Sequence, residues 1–161
     1  MPDLTVTLIE EILLPNSNTE KIINKTTISN VNQITRRLDT IATSFTGNGI
    51  ELVRFVDSEE EQTAGSFVRD TVKYIRITNL DSTNSCSIYL IRTSLEEIAL
   101  TLDAGKSIML PNAYIDSATA ADYVVADYVD LSFLSDMSTL DVIKAKASNS
   151  SVQLEYVIAS S

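Results

Sequence analysis

Histidine and tryptophan are absent from this chain, and cysteine occurs once, at Cys86. Without histidine, the Ser-His-Asp and Cys-His arrangements of nucleophilic catalysis and imidazole-ligated zinc are excluded. A lone thiol excludes an internal disulfide. Cys86 alternates with Ile88 and Leu90, a pattern that predicts a buried structural thiol and not a nucleophile. Paired carboxylates for glycoside hydrolysis would need aromatic platforms for the sugar rings as well. With no Trp and only six scattered Tyr, no such cleft is expected. No apolar run approaches the ~18 residues of a membrane span. The opening MPDLTVTLIEEILLP lacks a basic n-region, so no signal peptide is expected.

Basic residues are also scarce: 12 Lys and Arg face 22 Asp and Glu, a formal charge of −10. Phosphate contacts need clustered cations, so nucleic acid is not an expected partner, and an anionic membrane surface is disfavoured for the same reason. Arg36-Arg37 and the Lys73/Arg76 pair read as solvated strand faces. High negative charge suits a protein that stays soluble at high copy number.

What is present is a succession of short, β-branched, alternating segments. Leu4, Val6, Leu8, Ile12 and Leu14 fall at even positions, the period of a half-buried strand, and Pro15-Asn16-Ser17-Asn18 ends it. Residues 19–34 are polar and Asn/Thr-rich, fitting a short strand or an irregular crossing. In 36–44, Leu38, Thr40 and Ala42 alternate with Arg37, Asp39 and Ile41; Thr46-Gly47-Asn48-Gly49 then predicts a turn, with Ile50–Val56 as the returning strand of a hairpin. Residues 57–66, with Glu59, Glu60 and Glu61, predict an exposed, mobile acidic loop. Further strands are expected over 72–80, 86–91, 98–102, 107–110, 140–147 and 152–158, with turns at 81–84, 103–106 and 148–151. The face Val152, Leu154, Tyr156 and Ile158 runs almost to the last residue, so the carboxyl terminus should be tied into a sheet. Residues 113–136 are ambiguous: a short helix over 117–121, a strand over 127–134, and a near-repeat of Ala121-Asp122-Tyr123-Val124 at Ala126-Asp127-Tyr128-Val129.

Nine or ten strands without βαβ alternation predict an all-β fold: one antiparallel β-sandwich domain over 1–161, jelly-roll-like or a small barrel, with at most one short helix. A chain of 161 residues fits one domain with a substantial core.

Few residues carry chemistry. Asp116, Asp122, Asp127, Asp130 and the Glu59–Glu61 run offer hard oxygen ligands, but the D-x-D-x-D-G spacing of a calcium loop is absent and solvated carboxylates are expected. Gly47-Asn48-Gly49 lacks the Lys-Ser/Thr of a phosphate loop. No catalytic, cofactor or metal residue is assigned, and no enzyme is expected. Apolar side chains on both faces of two strands are more informative. Val72, Tyr74 and Leu80 oppose Ile75 and Ile77, while Tyr89 and Ile91 oppose Cys86, Ile88 and Leu90. Such strands need cover on both sides. Either 113–136 supplies it or Tyr74, Ile75, Ile77, Tyr89 and Ile91 form a subunit interface.

The block Lys73-Tyr74-Ile75-Arg76-Ile77-Thr78-Asn79-Leu80-Asp81, followed by Leu102-Asp103-Ala104-Gly105-Lys106-Ser107, resembles small β-sandwich virion proteins of tailed phages of aquatic bacteria. Leu4–Leu8 and Val152–Glu155 look similar too, so the likeness runs through most of the chain in strand order. The resemblance implies a capsid decoration (cement) protein at the virion surface, made in the host cytoplasm. Its implied partners are the major capsid protein or other virion proteins and further copies of itself, a trimer foremost. No long clamp arm is evident in the sequence, with 15–34 the only candidate. The alternatives are a neck, tail or fibre-base component, and a carbohydrate- or receptor-binding β-domain.

Overall fold

The structure, a computed structural model, describes residues 2–13, 19–43, 49–92, 97–111 and 140–161. The expected elements at 113–136, the Asp116–Asp130 carboxylates, the 15–18 turn and most of the 46–49 turn lie outside them.

The described residues form eleven strands: β1 (Leu4–Leu13), β2 (Thr19–Ile28), β3 (Gln33–Ile41), β4 (Ile50–Val56), β5 (Ser66–Val68), β6 (Val72–Asn79), β7 (Cys86–Arg92), β8 (Glu97–Leu102), β9 (Ser107–Pro111), β10 (Leu140–Ala147) and β11 (Val152–Ser160). They form a five-stranded sheet in the order β5-β4-β10-β7-β8, a four-stranded sheet in the order β3-β11-β6-β9, and a separate β1-β2 hairpin. All pairings are antiparallel except the short β4–β5 pair. The two larger sheets face each other across one core, so the expected all-β sandwich is observed.

That core is made of the alternate residues the sequence points to. Ile88, Leu90 and Cys86 of β7, Ile143 and Ala145 of β10, Ile75 and Ile77 of β6, and Val152, Leu154, Tyr156 and Ile158 of β11 are all buried in it. Each large side chain so buried contributes roughly 1.5–3 kcal/mol relative to exposure. Burial also pushes the Cys86 thiol up to about 11, which leaves it protonated and inert at neutral pH.

Connections repeatedly cross between the sheets. β3 and β4 are not the hairpin their intervening turn suggests, because β3 pairs with β11 and β4 with β10. Turn residues report that the chain reverses; they do not report which layer it returns to. On β3 the inward face is Arg37, Asp39 and Ile41, while Leu38 faces out. The β6–β11 ladder slips at Ala159/Ser160. This irregularity places Val72 in the main core with Ile75 and Ile77 and leaves Tyr74 on the opposite face, so the expected grouping of Val72 with Tyr74 is corrected.

The 57–66 loop is exposed over most of its length but tied at both ends. Glu59–Glu61 forms a 3₁₀ turn, and Ser66 is buried, with its hydroxyl bonded to Thr63. Asp57 pairs with the buried Arg69, whose Nε donates to the Leu140 carbonyl at 2.8 Å. Close approach sets one turn residue: Gly49 has φ +86°, and a Cβ there would overlap the Ala145 carbonyl.

Candidate interaction surface

The β1-β2 hairpin is unlike the rest of the molecule. Its strands pair over ten residues each, from Leu4↔Ile28 to Leu13↔Thr19, a ribbon about 33 Å long at the usual rise. Among the described residues, only its base packs on the sandwich. Leu4, Val6 and Ile28 pack on Val31, Tyr74 and Ala159. Backbone bonds from Val31 N–H to the Pro2 carbonyl (3.0 Å) and from Asn32 N–H to the Ser160 carbonyl (2.8 Å) hold that base in place. Every residue from Thr7 to Leu13 and from Thr19 to Thr27 is exposed. The hairpin is therefore a projecting arm.

Register sorts the arm into two faces. Leu4, Val6, Leu8, Glu10 and Ile12 share one with Ile28, Thr26, Asn24, Ile22 and Glu20. Past the packed base, this face carries Leu8, Ile22 and Ile12 at 40%, 40% and 46% exposure, interleaved with Glu10 and Glu20. The other face sets Ile9 opposite Ile23 and bears the Lys21–Glu11 ion pair at 2.7 Å. Isolated two-stranded ribbons are marginal in water, and apolar side chains left open on one are a docking feature or a liability.

The second apolar surface is the outer face of the β3-β11-β6-β9 sheet. Ladder registers set Ile34 beside Ala159 and Tyr74, Arg36 beside Val157, Arg76 and Met109, and Leu38 beside Glu155, Thr78 and Ser107. Leu80, just past β6, continues the alternation of Tyr74, Arg76 and Thr78, and its N–H bonds to the Gln153 carbonyl at 2.9 Å. Among the described residues, every exposed large hydrophobic side chain is on the arm or on this sheet: Leu8, Ile9, Ile12, Leu13, Ile22 and Ile23, then Ile34, Leu38, Leu80 and Met109. Neither group is scattered as ordinary surface apolar residues are.

Charge on this sheet face is concentrated in one triad. Glu155, with a side chain 9% exposed, accepts from Arg36 Nε at 2.6 Å and from Arg76 Nη2 at 2.6 Å. Hydrogen bonding to Arg36, then to Arg76, holds its carboxyl below the usual range, against the opposing effect of burial. Two guanidiniums share one carboxylate, so the triad has one positive charge in excess, and Arg36 remains 73% exposed.

A polar cleft of about 250 Å³ opens between the edges of the sheets, lined by Arg37, Asp39, Glu51, Arg54, Ser66 and Tyr156. Its groups engage one another. Tyr156 Oη donates to Asp39 at 2.6 Å, Arg54 pairs with Glu51, and the Arg37 guanidinium lies 5.8 Å from the Phe67 ring centroid. It is small for a ligand site, and among the described residues no cluster of His, Cys, Asp or Glu could hold a metal ion.

Three of the five residues expected at a subunit interface are taken up within the chain itself. Ile75 and Ile77 have no exposed surface and are spent in the chain's own core, and Tyr74 is sealed beneath the arm's base. They cannot reach a second subunit in this fold. Tyr89 and Ile91 are half-buried on the outer face of the other sheet, facing Lys144 and Val142 of β10. The surface that is open was legible only in part. The alternation of Leu4, Val6, Leu8 and Ile12 shows an apolar face, but nothing in the sequence says that its outer half stays uncovered.

The two segments that carry the phage resemblance meet in space. Buried Asn79 donates to the Leu102 carbonyl at 3.2 Å and to the Asn84 carbonyl at 2.8 Å. Its own backbone N–H and carbonyl bond to Lys106 and Gly105. Asp81 Oδ1 accepts the Thr83 and Asn84 N–H groups, which lower its pKa. These residues build a structural corner joining the sheets. No family model matches the chain, and neither a curated protein nor a solved structure matches it.

Proposed function

We propose that this chain is a structural virion protein, a capsid decoration (cement) protein that binds the outer capsid surface and holds neighbouring capsid proteins together. The observation that carries the reading is the arm: a ribbon about 33 Å long that projects from the sandwich with its apolar face open past the base. A sandwich head supplies a rigid anchor and a projecting ribbon supplies reach, which is what a protein bridging neighbours on a lattice requires. The likeness in Ile77–Asp81 and Leu102–Ser107 directs that general reading to a virion. A formal charge of −10 suits a surface turned away from packed DNA.

Quantitative mass spectrometry of purified particles from the source, scaled to the major capsid protein, tests the proposal. Hundreds of copies per particle are expected. A handful would move the protein to the neck, tail or fibre base, and absence from particles would overturn a virion role.

A further inference from the structure

We infer that the arm docks on a second copy of this chain, laying its Leu8/Ile12/Ile22 face on the outer face of that copy's β3-β11-β6-β9 sheet around Leu38 and Met109. This inference rests on the arm being a contact device and not on the capsid assignment.

Three observations select a second copy as the occupant. The first is precedent within the molecule. The base of the same ribbon face, at Leu4, Val6 and Ile28, already seats on this sheet's outer face, at Tyr74 and Ala159. The outer half repeats that chemistry with nothing among the described residues packed on it, and the same sheet face still exposes Leu38 at 54% and Met109 at 38%. The second is charge. Glu10 and Glu20 flank Ile22 and Ile12 on the arm, whereas the sheet face carries the Arg36–Glu155–Arg76 triad with its surplus positive charge. Acidic groups interleaved with apolar ones thus meet basic groups interleaved with apolar ones, in a protein whose net charge of −10 would otherwise keep copies apart. The third is area. The outer ribbon, from the Leu8↔Asn24 pair to the Leu13↔Thr19 pair, is only about 20 Å long, small for one stable contact. Because every copy has both an arm and an acceptor face, reciprocal exchange doubles the buried area toward the ~1,200 Å² of specific interfaces, and a head-to-tail ring gives each copy two contacts.

The test is light scattering on the full chain at micromolar concentration. The wild-type protein is expected as an oligomer of the 17.7 kDa chain. An arm variant, Ile12→Glu with Ile22→Glu, and an acceptor variant, Leu38→Glu, should each weaken association by at least about 30-fold, the scale of a hot spot lost. All three positions lie outside the core, and far-UV circular dichroism is the check that the variants fold. Mixing the two variants leaves one intact arm and one intact acceptor, a single contact of half the reciprocal area, so the mixture should associate more than either variant alone and more weakly than the wild type. A wild-type mass of one chain overturns the inference, as does an oligomer indifferent to the arm substitutions. An oligomer broken by the arm variant but untouched by Leu38→Glu overturns the acceptor face. None of these outcomes depends on particles, so this inference and the capsid proposal fail separately.

Discussion

β1 and β11 carry almost the same pattern and meet opposite fates. Leu4, Val6, Leu8 and Ile12 alternate along one strand as Val152, Leu154, Tyr156 and Ile158 do along the other. β11 lies between β3 and β6, and those four side chains are at most 2% exposed. Along β1, cover fades from half-buried Leu4 and Val6 to 40% and 46% exposure at Leu8 and Ile12. Alternation states that a strand has an apolar face. Whether that face is covered depends on what the chain brings back over it, and on the outer arm the described residues bring nothing.

The sharpest way to break that comparison is to remove the same atoms from each region. Ile75→Ala opens a cavity in the sandwich and should cost about 2–5 kcal/mol, whereas Ile12→Ala should change stability by less than about 0.5 kcal/mol. Denaturant unfolding, at concentrations low enough to keep the chain dissociated, measures both. Equal costs would mean that the arm is as integral to the fold as β11, and the reading of it as a docking element would fail.

A second contrast lies in how closely backbone approaches backbone. In the body, Gly49 combines φ +86° with a carbonyl where its Cβ would sit, while Gly105, at φ +69°, has nothing within 4 Å. Gly49→Ala should therefore cost about 2 kcal/mol or more, and Gly105→Ala nearer 1 kcal/mol, the backbone component alone. Equal losses at the two sites would show that the β4–β10 approach relaxes and sets no constraint.

Much of the body was legible because its signals are local. The inward sets Cys86/Ile88/Leu90 and Val152/Leu154/Tyr156/Ile158 follow from period two, and the turns at 81–84 and 103–106 follow from Asp, Asn and Gly chemistry. What was lost required knowledge of distant partners. The register slip that separates Val72 from Tyr74 is a property of the β6–β11 ladder and not of the β6 sequence. Arg69 gave no sign in the sequence of being buried, since its cover comes from the Leu140 end of β10. Ile75 and Ile77 leave the candidate interface for the same reason: they do have apolar neighbours, but those neighbours are β11 and the opposing sheet of the same chain. The arm was legible only in part, because a polar, Asn/Thr-rich 19–34 fits a short strand or an irregular crossing, and only the pairing with β1 shows a ten-residue strand over Thr19–Ile28.

Ionisable groups sharpen the comparison with the smallest expected effects. On the arm, the Lys21–Glu11 pair is open to solvent on both sides (49% and 56% exposed), so Glu11→Gln should move stability by no more than about 0.5 kcal/mol. In the body, Glu155 has its carboxyl held below the ordinary 4.5 by Arg36 and Arg76. The unfolded chain then binds this proton more readily, so the stability it contributes is complete above pH 4.5 and lost as pH falls through the depressed value. Tyr156 works at the other end: burial, with the Asp39 hydrogen bond, raises its hydroxyl from 10.0 to about 12. Its contribution is complete below pH 10 and lost as pH rises to about 12, because only the unfolded phenol ionises across that window. Tyr156→Phe should cost about 1 kcal/mol at neutral pH through the lost hydrogen bond and flatten the alkaline limb. A remnant should persist from Tyr74, whose pKa burial also raises. Unfolding midpoints followed from pH 3 to pH 12 would decide the matter. An unchanged alkaline slope in Tyr156→Phe would show that the inward Asp39–Tyr156 pair does not anchor β3 to β11, and that the edge of the sandwich is as loosely held as the arm.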